Sequence, residues 1–237
     1  MKLSIITVTY NAEKALKQTL ESIEKQKNAE IELLIIDGCS TDKTIEIAHL
    51  YRNKIDNMKV FSELDKGIYD AMNKGINLSS GDYLFFLNAG DVFFDNSVLD
   101  RVLSQLNGKD VYYGDSYISN QGSVITPYRV GRFSKYRLAV TNICHQSIFY
   151  PRYLISANKY NIKYRIVADW VMNMSIWKER PFMYIKTPVV LYEGGGLSSY
   201  QLDNEFKKDY KKLVIRNLGI FAFIYLCVYK MYNYLFQ

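Results

Sequence analysis

Residues 3–23 read LSIITVTYNAEKALKQTLESI, and this stretch contains the structural unit on which the predicted fold rests. The segment 3–9 is a β-branched, apolar run with the length of a strand. Apolar residues then recur at helical spacing over 12–23, with Asn11 placed to cap the N-terminus of the helix. The pattern predicts a strand, a tight turn and a helix.

The same unit recurs three times in the first half of the chain. The predicted pairs of strand and helix are 31–36 with 41–51, 59–62 with 68–78, and 82–87 with 97–106. Because the strands are continuously apolar and alternate with helices, they predict a parallel sheet that is covered on both faces. The predicted fold class is therefore α/β, as a Rossmann-like open α/β/α sandwich.

The pattern changes near residue 110. The second half is predicted to contain short aromatic strands at 111–114, 117–119 and 123–128, a helix from about Ala168, and two strands within 182–192 on either side of Pro188. No internal repeat or interdomain linker interrupts this order. We therefore expect one domain over 1–200, followed by a tail over 201–237.

The composition excludes several classes of protein. With 237 residues, 49% of them hydrophobic, the chain can bury a large core, so it is neither a disordered tail nor a mini-protein. Cys39, Cys144 and Cys227 form no C-x-x-C pair and are too few for a structural zinc site. We interpret them as free thiols, which fit the cytosol. Residues 1–6 enter a strand directly, so we expect no secretory signal peptide.

Charge is distributed unevenly along the chain, although the net charge is only +6. Residues 1–115 carry 13 basic and 18 acidic side chains, whereas residues 116–168 carry 8 basic ones and no carboxylate. An acidic first half suits a cation or a hydroxyl-rich ligand, and the basic stretch suits phosphate or an anionic surface. The alternative is that the basic side chains simply cover a solvated face.

The tail combines a basic segment with an apolar one. Four lysines lie in the predicted helix 202–213, and the 13 residues 217–229 are almost entirely apolar or aromatic. A helix of that length spans about 20 Å, and roughly 20 residues are needed to cross a bilayer. We therefore expect an amphipathic segment that lies in the membrane interface, with packing on the domain or on a second subunit as the alternative.

Polar residues at the ends of the predicted strands are candidate ligand-binding residues, because ligands of open parallel sheets bind beyond the carboxyl ends of the strands. The candidates at these four ends are Thr9, Tyr10, Asn11, Asp37, Asp65, Lys66, Asn88, Ala89 and Asp91. The chain has no G-x-G-x-x-G after the first strand and no G-x-x-x-x-G-K-[ST], so phosphate groups must be bound in another way. Asn88 and Asp91 present amide and carboxylate oxygens from one short turn, as a hard cation requires, although such turns are also common without a metal.

Four segments, in this order, together resemble glycosyltransferase family 2, whose members are inverting enzymes of the GT-A fold. They read SIITVTYN at 4–11, LIIDGCSTD at 34–42, DKGIYDAMNKG at 65–75 and GDYLFFLNAGD at 81–91. The resemblance implies that the half 1–109 binds a nucleotide sugar and that the half 110–200 binds the acceptor. The residues implied in binding the nucleotide sugar are Thr9, Tyr10, Asn11, Asp37, Asp65, Lys66, Asn88 and Ala89, with Asp37 at the base or ribose.

The resemblance also implies a metal site, with one departure. The family's D-x-D motif begins with Asp where this chain has Asn88, and Asp91 is the carboxylate expected to bind Mn²⁺ or Mg²⁺. A variant of this form is similar to a subgroup associated with bacterial capsule, exopolysaccharide and colanic-acid-like synthesis.

Asp169, in the segment 168–170, stands where the family places the acidic motif of its catalytic base. A base is needed because the acceptor hydroxyl must lose its proton as it attacks the anomeric carbon. The alternative is that Asp169 only caps the helix that it begins. His145 is either a contact for metal, diphosphate or acceptor, or a structural residue. Ser198 lies in the glycine-rich segment 193–199, which suits a mobile loop over the substrate or an ordinary connector.

These expectations combine into one predicted function. The chain is expected to transfer a sugar from a UDP-, GDP- or dTDP-linked donor to a glycan in bacterial cell-surface polysaccharide biosynthesis. The acceptor would be polyprenyl-diphosphate-linked, at the cytoplasmic face of the inner membrane. One alternative is a catalytically degenerate sugar-nucleotide-binding or scaffolding protein, which Asn88 leaves open. A nucleic-acid binder is suggested by the pI of about 9.0, but the chain has no recognised nucleic-acid module.

Overall fold

The computed structural model describes residues 1–27, 29–120, 124–193 and 203–236. The first half contains β1 (Leu3–Thr9), α1 (Glu13–Glu24), β2 (Ile31–Asp37), α2 (Thr44–Tyr51), β3 (Met58–Ser62), α3 (Ile68–Leu78), β4 (Tyr83–Phe86), β5 (Val92–Phe93) and α4 (Val98–Leu103). The second half contains β6 (Tyr112–Asn120), β7 (Val124–Arg129), α5 (Lys135–Val140), a 3₁₀ turn (His145–Ser147), β8 (Ile148–Pro151), α6 (Arg152–Ala157), α7 (Ala168–Glu179) and β9 (Met183–Glu193). The tail contains α8 (Asn204–Leu218) and α9 (Ile220–Phe236).

The described strands form one sheet in the order β3-β2-β1-β4-β8-β6-β9-β5, with β7 paired to β6. The first four strands in this order are parallel, as the sequence predicts. Beyond β4 the sheet is mixed, because β8 is antiparallel to both β4 and β6, and β5 is antiparallel to β9. The prediction of a parallel sheet, which rests on the four units of strand and helix in the first half, is therefore confirmed there. The strands of the second half are not each followed by the crossover helix that parallel pairing needs.

Both faces of the parallel half are buried. Along β1, Leu3 and Ile5 belong to one apolar cluster, together with residues of α1 and α2. Ile6 and Val8 belong to a second cluster, together with residues of α3 and α7. Side chains of a strand alternate between the two faces of a sheet, so helices on both sides explain why β1 is apolar throughout.

Three local predictions were wrong. The segments 111–114 and 117–119 are one strand, β6, and the two strands predicted around Pro188 are also one strand, β9. Pro188 lies opposite Asp115, where the pairing of β6 with β9 shifts register, and this irregularity tolerates a residue without an N–H group. Asn11 does not cap α1, because Ala12 occupies the N-cap position and Asn11 Oδ1 instead accepts a hydrogen bond from the backbone N–H of Thr41.

The tail folds back on the domain as two helices joined at Gly219. Helix α8 buries one side chain per turn, namely Phe206, Tyr210, Val214 and Leu218. Helix α9 is longer than the predicted apolar segment and buries Ala222 and Leu226. Its inner side therefore packs on the domain. In the part of the chain that the structure describes, no helix has both the length and the apolar character needed to cross a bilayer.

Candidate active site

A cavity of about 1030 Å³ opens beyond the carboxyl ends of β1 and β4. Its wall includes Thr9 and Tyr10 after β1 and Asn88, Ala89 and Asp91 after β4, together with the start of α3. The opposite wall comes from the second half of the chain, through residues 140–146, residues 165–170 and the segment around Arg129. Residues from both halves of the chain therefore converge on one cleft, at the place where an open α/β sheet binds ligands.

Asp37 organises the strand ends behind this cavity. Its carboxylate is fully buried and accepts hydrogen bonds from the hydroxyl of Thr9, the hydroxyl and N–H of Ser40, and the hydroxyl of Ser62. Burial alone would raise the pKa of Asp37, but these hydrogen bonds outweigh it and hold the pKa below its usual value. Asp37 does not line the cavity, although Thr9 does. Its contact with a nucleotide stays a prediction, and its observed role is to fix Thr9.

The turn from Asn88 to Asp91 is held by α1. Its Gly90 has a φ of 102°, a left-handed conformation that glycine adopts at little cost, and the N–H of Asp91 donates to the carbonyl of Asn88. The hydroxyl of Thr19, on α1, accepts from the N–H of Gly90 and donates to the carbonyl of Asp91. The turn thus presents Asn88, Ala89 and Asp91 to the cavity from a fixed backbone.

The segment 144–146 connects this turn to the second half of the chain. Gln146 Nε2 donates to Asp91 Oδ2 at 2.8 Å, and the Cys144 thiol donates to Gln146 Oε1 at 3.0 Å. Burial raises the pKa of that thiol to about 12, so Cys144 stays protonated at neutral pH. His145 lies between the two halves, with Nε2 3.1 Å from Asn88 Nδ2 and Nδ1 3.3 Å from Asp169 Oδ2. One neutral tautomer, protonated at Nδ1, satisfies both contacts.

Asp169 lies in the first turn of α7 and lines the same cavity. Oδ1 lies 2.9 Å from the hydroxyl of Tyr69, and Oδ2 accepts from Asn142 Nδ2 at 2.7 Å as well as facing His145. Burial, and then the nearby charge of Asp169, raise the pKa of Tyr69 well above its usual value, so Tyr69 remains a donor. The Asp169 carboxylate does not cap α7, because the residue at the N-cap position is Val167 and no side chain caps this helix.

The other residues predicted for the donor site do not all line the cavity. Asp65 lines the cavity, and its Oδ1 accepts from the N–H of Gly67 at 2.8 Å. Tyr10 also lines the cavity and is 68% exposed, so its ring is free to contact a ligand. Asn11 and Lys66 are exposed but do not line the cavity. Ser198 lies outside the residues that the structure describes.

Several residues of the site were not predicted from the sequence. Gln146, Tyr69 and Asn142 hold the two carboxylates, and Arg129 and Arg165 line the cavity without forming an ion pair to any described carboxylate. The only sequence signal for the arginines was the run 116–168 without acidic residues. The three neutral residues carried no signal, because their contacts arise only in the folded chain.

The turn residues fit a divalent cation in part. Asn88 Oδ1 is buried and has no hydrogen-bond partner among the described residues, and Asp91 presents a carboxylate to the same cavity. Across residues 1–27, 29–120, 124–193 and 203–236, no three His, Cys, Asp or Glu side chains cluster as a metal site. Mg²⁺ is commonly bound by one or two protein oxygens, with substrate phosphates and water completing the shell. An amide oxygen and a carboxylate therefore suit a cation that is shared with a bound diphosphate.

Comparison with known proteins gives consistent results. The family model described as Glycosyl transferase family 2 matches residues 4–180. A PGL/p-HBAD biosynthesis glycosyltransferase of Mycobacterium bovis is 36% identical over 215 residues, which cover 86% of this chain and 82% of that protein. Staphylococcus aureus TarS 1–349 in complex with UDP superposes with a TM-score of 0.73 at 20% identity, covering 92% of this chain and 65% of that one.

A second solved structure has a similar fold. Glucosyl-3-phosphoglycerate synthase from Mycobacterium tuberculosis, in complex with Mn²⁺, UDP and glucosyl-3-phosphoglycerate, superposes with a TM-score of 0.62 at 13% identity. The superposition covers 92% of this chain and 80% of that one. At these identities the two superpositions bear on the fold alone.

Proposed function

The chain belongs to glycosyl transferase family 2 and has the α/β GT-A fold, and on this premise we propose that it transfers one sugar, with inversion, from a nucleotide-sugar donor to a glycan hydroxyl. One observation carries the proposal: Asp91 and Asp169, from opposite halves of the chain, line one cavity and are linked through the segment 144–146. This arrangement supports a reaction in which Asp91 would bind a cation and Asp169 would act on the acceptor within the same cavity.

The donor occupies the wall made by the first half of the chain. Thr9, Tyr10, Asp65 and Ala89 line it, with Asp37 positioning Thr9 from behind. A UDP-, GDP- or dTDP-linked sugar would lie over these strand ends, with its diphosphate near the turn from Asn88 to Asp91. The UDP bound by two proteins of similar fold supports this reading.

Asn88 Oδ1 and the Asp91 carboxylate would hold Mn²⁺ or Mg²⁺ beside the diphosphate. When bound, such a cation neutralises negative charge on the departing nucleoside diphosphate. Gln146 keeps Asp91 in place through the bond to Oδ2, which fixes the orientation of the carboxylate.

Asp169 acts as the general base. As the acceptor oxygen bonds to the anomeric carbon, the bond from that carbon to the diphosphate oxygen breaks and its electron pair leaves with the nucleoside diphosphate. The acceptor proton passes to the Asp169 carboxylate. Tyr69, Asn142 and His145 fix this carboxylate in one orientation, so it needs no reorganisation during the reaction.

The acceptor enters over the wall made by the second half. The rings of Tyr128 and Tyr192 stack 5.5 Å apart in this wall, and the Arg129 guanidinium lies 4.4 Å from the centre of the Tyr128 ring. Flat rings suit a sugar face, and the guanidinium groups of Arg129 and Arg165 suit phosphate. We therefore propose a polyprenyl-diphosphate-linked glycan as acceptor, at the cytoplasmic face of the inner membrane, in capsule or exopolysaccharide synthesis of a bacterium.

A second candidate function is a sugar-nucleotide-binding protein of an assembly complex without turnover. It is favoured by one observation, the amide of Asn88 at a position where the family's motif has a carboxylate. Such a protein would keep the donor wall and the metal-binding oxygens but would make no use of Asp169.

A panel of nucleotide sugars tests both candidates. UDP-, GDP- and dTDP-linked sugars are added with Mn²⁺ or Mg²⁺ and without acceptor, and the unfolding midpoint and the slow release of nucleoside diphosphate are measured. We expect one nucleotide class to raise the midpoint in a metal-dependent manner and to be hydrolysed slowly. Binding without release, unchanged in Asp169→Asn, would assign the second candidate, and the absence of binding by every donor would contradict both.

A further inference from the structure

Helix α9 (Ile220–Phe236) is apolar on its outer side as well as on the side that packs on the domain. Its inner side packs on the domain through Ala222 and Leu226. Its outer side carries apolar residues at intervals of three and four, and the stripe consists of Phe221, Ile224, Val228, Met231 and Leu235, each between 51% and 68% exposed. A helix on the surface of a soluble domain normally places polar residues on this side.

This outer stripe is long and uninterrupted by charge. From Phe221 to Leu235 it extends about 21 Å along the helix, at 1.5 Å per residue. Helix α9 contains no Asp or Glu, and its one charged residue, Lys230, lies 4.9 Å from the centre of the Tyr210 ring on α8. Contiguous apolar patches of this kind mark sites of contact with a protein or a membrane.

Basic side chains flank the stripe on both sides. On one side, Tyr225 contacts the ring of Tyr136 on α5, and the Lys135 ammonium lies 5.3 Å from the centre of the same Tyr136 ring. On the other side is α8, whose exposed basic residues are Lys207, Lys208, Lys211, Lys212 and Arg216. Of these five, Lys208 alone forms an ion pair with a carboxylate in the described part of the chain.

We propose that the outer face of α9 docks on an anionic lipid surface, with the flanking lysines at the depth of the headgroups. The apolar stripe would enter the boundary between headgroups and acyl chains, as interfacial helices do. The basic residues beside the stripe favour anionic lipid over a second copy of the chain as the partner of this face. A two-fold contact through α9 would bring the same basic flanks of two copies together, whereas anionic lipid neutralises them.

The position of α5 connects this docking face to the cavity. Tyr136, in the first turn of α5, contacts α9, and Val140, at the end of the same helix, lines the cavity. The two residues are separated by about one helical turn, or roughly 6 Å. A lipid surface on α9 would therefore lie close to the wall that carries the acceptor residues. The inference deepens the membrane contact named under the proposed function, but its test needs no turnover.

The test is flotation of the full chain with vesicles. The vesicles contain either phosphatidylcholine alone or equal parts of phosphatidylcholine and phosphatidylglycerol, at low and at high salt. We expect flotation with the anionic vesicles only, and weaker flotation at high salt. Val228→Glu should reduce the apparent affinity about tenfold or more, because a charged group replaces an apolar one in the interface. The matched control is Leu50→Glu, which adds the same charge at a 65% exposed position on α2 and should change nothing.

Other outcomes overturn the proposal. They are the absence of flotation with anionic vesicles, equal flotation of Val228→Glu, and equal flotation with neutral vesicles. A concentration-dependent dimer that Val228→Glu dissociates, without vesicle binding, would assign the face to a second copy. Donor binding is measured separately. The absence of vesicle binding would therefore not contradict glycosyl transfer, and an inactive protein that still floats would not contradict the docking face.

Discussion

Replacing Asp169 with Asn tests the proposed base with a substitution that barely changes the shape of the site. An amide cannot accept the acceptor proton, and loss of a general base costs about 10² to 10⁴ in rate, which is about 3–5 kcal/mol in the activation barrier. The new NH₂ group would take the side of Oδ1, because Tyr69 can turn its hydroxyl to the carbonyl of Ile166, which is 2.8 Å away. The new NH₂ group can then donate to the hydroxyl oxygen of Tyr69, so we expect the free energy of unfolding to change by about 1 kcal/mol or less.

The expected loss of rate is much larger than the expected change in stability, so experiment can separate the two. We expect turnover of Asp169→Asn to fall by about 10² to 10⁴, while the dissociation constant of the bound nucleoside diphosphate changes by less than about twofold. Turnover is followed by release of nucleoside diphosphate and binding by titration calorimetry, and urea unfolding gives the stability. The matched control is Tyr69→Phe, which removes the hydrogen bond from the Tyr69 hydroxyl to Oδ1 but leaves the carboxylate.

Two results would refute this reasoning. If Asp169→Asn kept more than about a tenth of the wild-type turnover, Asp169 would not be the base. If Tyr69→Phe lost as much turnover as Asp169→Asn at equal stability, the hydrogen bond rather than the carboxylate would limit the reaction.

Two further predictions concern the metal site and the stability of the sheet. In Asp91→Asn the amide oxygen can still accept from Gln146, so we expect the unfolding free energy to change by about 1 kcal/mol or less. The part of nucleotide binding that depends on Mn²⁺ should disappear, and a chelator-sensitive thermal shift that survives in this variant would contradict the assignment. For Glu32, burial raises the pKa, but hydrogen bonds from Ser4, Ser80 and Lys59 outweigh it and lower the pKa from 4.5 to about 2. Because the folded pKa lies below the unfolded one, the stabilisation is present above about pH 4.5 and is lost as the pH falls towards 2, a loss of about 3 kcal/mol. Urea unfolding between pH 6 and pH 2 should show this dependence in the wild type and less of it in Glu32→Gln, and equal slopes in the two proteins would exclude Glu32 as its source.

The first half of the fold could be predicted because local pattern and tertiary environment agree there. Strands β1, β2 and β4 are buried on both faces, so apolar runs mark them, and α3 has the predicted bounds of 68 and 78. In the second half, the start of α7 at Ala168 was predicted, but β6 and β9 were each divided into two strands, because they continue through positions that resemble strand ends. At Gly114 a Cβ would lie 2.4 Å from Cγ2 of Val189, so glycine allows the close approach of the two strands rather than ending one of them.

The site was predictable in its two carboxylates, Asp91 and Asp169, but not in the residues that hold them. Asp91 and Asp169 were identified from their positions in motifs, and His145 was a candidate as an isolated histidine; all three line the cavity. Tyr69 and Asp169 are 100 positions apart in the sequence, and nothing in either segment indicates that they meet. Tyr69, Asn142 and Gln146 gain such roles only where distant segments of the chain meet in the fold, which a single sequence does not specify.

The hydrogen bonds around His145 explain why an amide suits position 88, where the family's D-x-D motif has Asp. With Nδ1 of His145 protonated towards Asp169, Nε2 is an acceptor, and the Asn88 amide supplies the donor that it needs. A carboxylate at position 88 has no hydrogen to donate to Nε2, so this contact would be lost. The Asn88 amide therefore has two separate functions. Its Nδ2 donates to His145, which also contacts Asp169, and its buried Oδ1, which has no partner among the described residues, is the oxygen that we propose for the cation.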